Sequence, residues 1–542
     1  MNSNYKVPVP ENEPILSYAP NSPERSQLKN KLEEMYQTTL EIPLIIHGEE
    51  VKTGKLGKCI CPHDHQHTLA TFHQAGENEI QRAIQSSQEA WKTWSVMPWE
   101  ERVAVFLRAA ELLAGPYRAE MNAATMLCQS KSAFQAEIDC VAELADFLRY
   151  NAYFMQNIYQ TQPNNSKGIW NRLEYRPLEG FVYAITPFNF TSIGGNLPSA
   201  PALMGNVALW KPARTAVYSN YVFMKILIEA GLPKGVINFI PGSSSMITDL
   251  VLESPHFAGI HFTGSTEVFQ MLWKRSAENL SKYKSYPRIV GETGGKDFLV
   301  VHSSAHPREV STAIVRGAFE YQGQKCSANS RAYLPESLWN DIWKELQEQL
   351  GRVTIGDVRD FSNFINAVID KASFDKIKSY IDYAKNHQDA KVIWGGTCDD
   401  SKGYFIEPTI ILTTDPHFKT MQEEIFGPVI TIYIYKDEAY QETLELCNTT
   451  SEYGLTGGVF AHDREAVIQA EEVLRHAAGN FYINDKVTGA VVGHQPFGGG
   501  RSSGTNDKAG SEFNLLRWTS IRNTKECFSP ARDFVYPFMS EK

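Results

Sequence analysis

At 542 residues, 42% of them hydrophobic, the chain has material for two or more cores that share an interface rather than for one. A formal charge of −10 without any Lys/Arg cluster excludes a nucleic-acid surface, and no apolar run approaches the roughly 20 residues of a membrane-spanning helix. Eight cysteines without paired spacing point to a reducing compartment, and the N-terminus has neither a secretory apolar core nor an Arg-rich presequence, so a cytoplasmic protein is expected.

Residues 1–40 begin polar and proline-bearing and read as a helix from about Ser22, packed along the surface as an arm. Residues 42–46 and 69–73 are apolar segments expected to share a small sheet. Between them, Cys59-Ile60-Cys61-Pro62-His63-Asp64-His65-Gln66-His67 holds ligand types that zinc accepts. Alternating side chains of one extended strand point to both faces, however, and no second ligand cluster follows, so a turn without a metal is expected. Residues 77–159 have a helical pattern, with Trp91, Trp94, Leu107, Leu112 and Leu113 as core candidates. Residues 160–178 begin with Gln-Pro-Asn-Asn after the helical run and switch to a strand-like pattern at 169–175.

After Gly180 short apolar strands at 181–185, 207–210, 235–240, 259–262 and 288–290 alternate with helical runs such as 222–230. That alternation predicts a parallel, doubly wound sheet, which binds ligands at the carboxyl ends of its strands. No Gly-x-Gly-x-x-Gly fingerprint is present. In its place stands Phe262-Thr263-Gly264-Ser265-Thr266-Glu267, whose helix-opening N–H groups suit a pyrophosphate, though a Ser/Thr cap without a ligand fits the same residues. A second α/β pattern occupies residues 296–485.

Three polar positions punctuate these patterns. Cys326 lies in Tyr321-Gln322-Gly323-Gln324-Lys325-Cys326-Ser327, after an amphipathic run containing Ile314, Val315, Ala318 and Phe319. A thiol with an ordinary pKa of ~8.5 becomes a nucleophile where positive charge or N–H dipoles favour the thiolate, and Lys325 with its flexible surroundings is expected to supply both; the alternative is an inert cysteine. Glu292 sits in the glycine turn Gly291-Glu292-Thr293-Gly294-Gly295, where the alternative is a solvated loop carboxylate. Asn189 stands between Phe188 and Phe190 just after the 181–185 strand, where the alternative is a turn residue. Together a thiol, an amide donor and a carboxylate can attack a carbonyl, stabilise the oxyanion and activate a water.

From about Ile42 to near the C-terminus the chain resembles the aldehyde dehydrogenase superfamily. The segment Asn171-Arg172-Leu173-Glu174-Tyr175-Arg176-Pro177-Leu178-Glu179-Gly180-Phe181-Val182, the Gly-Gln-Lys-Cys-Ser core at 323–327 and Gly493-His494-Gln495-Pro496-Phe497-Gly498-Gly499 narrow the resemblance to its delta-1-pyrroline-5-carboxylate branch. The resemblance implies an α/β fold with a Rossmann-type doubly wound NAD-binding domain, an α/β catalytic domain and a β-hairpin oligomerisation element. The implied divisions are 1–159 (arm and first part of the NAD-binding domain), 160–178 (hairpin), 179–291 (Rossmann-type core), 292–494 (catalytic domain) and 495–542 (return segment and C-terminal arm). It further implies oxidation of L-glutamate γ-semialdehyde to L-glutamate through a thiohemiacetal and a thioester on Cys326, in proline degradation, with Asn189 holding the oxyanion and Glu292 as base.

The same resemblance assigns Ser265 to the NAD pyrophosphate, Lys211 to the adenine-side ribose, and Glu424 with Phe426 to the nicotinamide-side ribose, with Thr186 and Pro187 alongside. Phe190 and Phe497 would flank the aliphatic part of the substrate, and Ser327 with the Gly489–Ala490 main chain would receive its α-carboxylate. Many members carry Ser where this chain has Ala490, which removes one neutral hydrogen bond, net worth ~1 kcal/mol. Arg214 replaces an acidic residue common three positions after the lysine; a guanidinium can accept a 2′-phosphate, but NAD remains the expected cofactor. The partners expected are a small-molecule substrate and copies of the chain itself, as a homodimer or larger homo-oligomer. Another aldehyde as substrate, or a silent binding protein on this fold, are the rival readings.

Overall fold

The computed structural model describes residues 5–540; residues 1–4 and 541–542, the outermost ends of the expected arms, lie outside the described residues. Between residues 181 and 292 five apolar strands are buried along nearly all of their length, as a sheet covered on both faces requires. They pair in parallel in the order Arg288–Glu292, Phe257–Thr263, Phe181–Ile185, Val207–Lys211, Ile237–Phe239, and Leu44–Ile46 with Glu49–Val51 extends the sheet antiparallel to seven strands. The strand order reverses between Phe181–Ile185 and Phe257–Thr263, which opens a crevice at their carboxyl ends.

The second seven-stranded sheet runs Ala390–Trp394, Thr409–Thr413, Val429–Tyr435, Asn329–Pro335, Asp297–Val301, Thr456–Phe460, Asn480–Ile483, and only its first strand is antiparallel. Both the doubly wound sheet and the second α/β unit are therefore present. The N-terminal helix Pro23–Tyr36 starts where Ser22 accepts from Arg25 N, a side-chain cap.

Two expectations need correction. Residues 42–46 and 69–73 do not share one sheet: Leu40–Ile42 pairs with Asp64–His73, whereas Leu44–Ile46 joins the large sheet. Pro43 lies between them, and a residue without an N–H that fixes φ breaks the strand there. The strand pair placed at 160–178 is not local, because Ile169–Pro177 pairs with Thr519–Cys527. The residues before it work through side chains instead: Asn165 Oδ1 accepts from Asn171 N at 2.6 Å and Gln162 Oε1 from Leu173 N at 2.8 Å, covering the other edge. The run at 77–159 is helical as expected, and within it a π-turn at Glu137–Ala142 buries Glu137 and Asp139.

The Cys/His stretch forms the turn joining Leu56–Cys61 to Asp64–His73. Cys61 Sγ and His63 Nε2 lie 2.9 Å apart, but His65 stacks on Tyr404 and His67 on Tyr36. Among the described residues no group of three or more Cys, His, Asp or Glu side chains is arranged to hold a metal.

Candidate active site

Asn189 follows the central strand Phe181–Ile185, Glu292 ends the edge strand Arg288–Glu292, and Cys326 precedes Asn329–Pro335 of the second sheet. The site thus lies where the carboxyl edge of one sheet meets a loop of the other. That loop bends sharply: Tyr321, Gln322 and Gly323 have φ of 51°, 54° and 63°. The left-handed backbone costs energy at the two non-glycine positions. Gln322 anchors it, donating from Nε2 to Ser130 O at 2.9 Å and Ala367 O at 2.8 Å and accepting from Asn366 N at 3.1 Å. A Cβ at Gly323 would stand 2.1 Å from Gly427 O, and one at Gly295 would stand 2.1 Å from Cys326 O, so both glycines permit the close approach. Asn189 Nδ2 donates to Gln324 O at 3.0 Å, which ties the amide to the nucleophile loop.

Two cavities meet at Cys326. The larger, a cleft of about 710 Å³ at the strand ends, is lined by Thr186, Pro187, Asn189, Lys211, Ser265, Glu424 and Phe426. The narrower pocket is lined by Phe190, Glu292, Ser327, Gly489, Ala490 and Phe497. Every residue assigned to NAD or to the substrate from the sequence lies in one of the two walls, and Cys326 lies in both. Arg214 is exposed and outside the cleft wall, where its neighbour Ala213 lies instead.

The electrostatics correct one expectation. Burial raises the Cys326 thiol well above its ordinary range, and the carboxylates Glu292, Asp297 and Glu424 raise it further. Lys325 does not oppose this, because its ammonium turns away to Asp139 and Glu320, 3.7 Å from each. Glu292 is pushed up to about 8, chiefly by burial of its carboxyl group; Lys508 opposes the shift and Asp507 adds to it. Residue 292 keeps a partial opening to the pocket, so a water can reach it.

The cleft suits a dinucleotide. Burial alone lowers Lys211 to about 8, so it stands at the wall without a compensating carboxylate. The buried Thr263 Oγ1 has no hydrogen-bond partner among the described residues. Ser265 caps the helix Thr266–Glu278, its Oγ accepting from Val268 N at 3.4 Å, which leaves its own proton to donate and the first helical N–H groups facing an anion. Glu424 accepts from Gly295 N at 2.9 Å, and Phe426 meets Phe188 edge-on at 5.8 Å.

Several pocket residues escaped sequence reasoning. Asp139 and Glu143, on and just after the π-turn, line the narrow pocket, and burial pushes Glu143 up to about 8. Acidic residues at 139, 143 and 146 in an otherwise apolar helical face were the available signal. Thr488, whose Oγ1 is 2.7 Å from Ser327 Oγ, adds a hydroxyl beside Ala490.

The family profile described as aldehyde dehydrogenase family matches residues 50–524. The chain belongs to the aldehyde dehydrogenase family. This aldehyde dehydrogenase is 54% identical over 536 residues to the mitochondrial delta-1-pyrroline-5-carboxylate dehydrogenase of Dictyostelium discoideum, with 98% of this chain and 96% of that protein covered. It superposes on the crystal structure of the delta-pyrroline-5-carboxylate dehydrogenase of Mycobacterium tuberculosis bound with NAD with a TM-score of 0.96, at 50% identity and with 100% of both chains covered. The Thermus 1-pyrroline-5-carboxylate dehydrogenase with bound NAD gives a TM-score of 0.90 at 32% identity, covering 96% of this chain and 100% of that one. Among the described residues of this aldehyde dehydrogenase no helix is long and apolar enough to cross a membrane.

Proposed function

We propose that this aldehyde dehydrogenase oxidises L-glutamate γ-semialdehyde, the open form of delta-1-pyrroline-5-carboxylate, to L-glutamate with NAD, a step of proline degradation. The observation that carries the reading is Cys326, the one thiol in the wall shared by the narrow pocket and the large cleft. The relatives named above, similar over nearly the whole chain, support the same substrate.

As the C–S bond forms between Cys326 Sγ and the aldehyde carbon, the thiol's proton passes to solvent through the open cleft, and the new oxyanion is met by the Asn189 amide and the Cys326 backbone N–H. Thr186, Pro187, Lys211, Ser265, Glu424 and Phe426 would hold NAD, which when bound supplies the hydride acceptor. The thioester on Sγ is opened by a water whose proton passes to Glu292, and glutamate leaves. Phe190 and Phe497 flank the aliphatic chain, and the Gly489–Ala490 main chain with Ser327 receives the α-carboxylate.

The relatives with mitochondrial names leave cytoplasm and mitochondrial matrix as the reducing compartments that fit eight free cysteines. The two-stranded ladder, with Trp170 and Ile521 exposed, and a tail exposing Phe528, Phe534 and Phe538 form the surface through which copies associate in this reading.

NADH formation with glutamate semialdehyde against a panel of aldehydes tests the substrate. Cys326→Ala is expected to abolish it while NAD still binds; aldehyde turnover by that variant would remove the nucleophile.

A further inference from the structure

Two contacts tie the nucleophile loop to the loop that carries Gly489 and Ala490. One is the Ser327–Thr488 hydroxyl pair already described. The other is ionic: Lys486 Nζ donates to Glu320 Oε2 at 3.1 Å, and Glu320 is only 6% exposed. Glu320 also faces Lys325 at 3.7 Å, Lys325 faces Asp139 at 3.7 Å, and Asp139 pairs with Lys131 at 2.8 Å. Charges of alternating sign therefore run from the π-turn past the nucleophile to Lys486. Three lysines face two carboxylates along this row, and Glu143, held largely protonated by burial, does not offset the surplus.

Lys486 folds beneath the turn it precedes. Gly489 has φ +96°, and a Cβ built there would stand 3.5 Å from Lys486 Cε and 3.7 Å from its Nζ. The ammonium thus lies beside the Gly489 main chain, which lines the pocket. Lys486 keeps 23% of its side chain exposed, and a half-buried cation still acts on an anion without touching it, though solvent screens it.

We propose that the Glu320–Lys486 pair sets specificity: it clamps the carboxylate-receiving loop against the nucleophile loop and places positive potential behind that loop, favouring aldehydes that bear an α-carboxylate. Lys486 and Glu320 are positioning residues in this scheme, which rests on the glutamate semialdehyde reading above.

Steady-state kinetics of wild type, Lys486→Met and Lys486→Arg, each with glutamate semialdehyde and with propanal, test it, with NAD binding as the check of a folded protein. In Lys486→Met the KM for the semialdehyde is expected to rise about tenfold and that for propanal less than about twofold, with Arg restoring most of the difference. Parallel changes for both aldehydes, or none for either, would overturn the proposal and leave a structural tie at most. Should the methionine variant fail to fold, Lys486→Gln, which keeps a donor for Glu320 and loses the charge, carries the same comparison. A wild type whose KM is no lower for the semialdehyde than for propanal would instead remove the substrate reading, and this inference with it.

Discussion

Glu292→Gln keeps the shape of one side chain and removes its charge, which exposes two effects of the same buried carboxylate. Burial, opposed by Lys508 and reinforced by Asp507, moves Glu292 from an ordinary 4.5 to about 8. A general base works only when ionised, so turnover limited by thioester hydrolysis rises about tenfold per pH unit up to about pH 8 and then levels. At about pH 6 the ionised fraction is roughly one hundredth, and wild-type turnover is expected roughly a hundredfold below its plateau. The glutamine variant is expected to release one burst of NADH per active site and then stall. Stopped-flow burst amplitudes and a steady-state pH profile measure both. A variant that turns over at the wild-type rate, or a flat wild-type profile over that pH range, would refute the assignment of the base.

The stability effect has a definite sign. The folded protein holds this proton more tightly than the unfolded chain, so stability is lost as pH rises from about 4.5 to about 8 and is level above. The full loss is at most roughly 5 kcal/mol, and water at the pocket mouth lowers it. Glu292→Gln is therefore expected to be the more stable protein at alkaline pH, with the gap under about 1 kcal/mol near pH 5. Denaturant melts at the two pH values check this, and a gap that does not depend on pH would show that the carboxyl is solvated.

Asn189→Ala removes the side-chain oxyanion donor and is expected to lower kcat by about 10²- to 10³-fold while NAD affinity holds. A change confined to KM would contradict that role. Arg214 is exposed outside the cleft wall, so Arg214→Ala is expected to leave the ratio of kcat/KM with NAD to that with NADP within about twofold. A selective loss with NADP would bring the guanidinium to the cofactor.

The strands of the first sheet were readable because a strand buried on both faces is written as a continuous apolar run, as Phe181-Val182-Tyr183-Ala184-Ile185 shows. Pairing was readable only where neighbours in the sheet are near in sequence. Ile169–Pro177 finds its partner at Thr519–Cys527, and nothing local to either strand encodes that register. The π-turn at Glu137–Ala142 was hidden for a related reason, since one extra residue in a helical turn leaves the flanking periodicities intact and changes only their phase.

Lys325 shows the limit most clearly at the site itself. Adjacent in sequence to Cys326, it was expected to supply the nucleophile's positive charge, yet the loop sends its ammonium toward Asp139 and Glu320. The groups whose charge acts on the sulfur are instead Glu292, Asp297 and Glu424, all acidic and brought near it by folding. The charge around a nucleophile is thus set by spatial approach, and the glycines at 291, 294 and 295 beside Glu292 were the sequence's only mark of it. Because three carboxylates and burial together hold the thiol protonated, the protein by itself disfavours the thiolate. A positive charge placed in the cleft that opens on the same sulfur would act in the opposite sense and favour the thiolate.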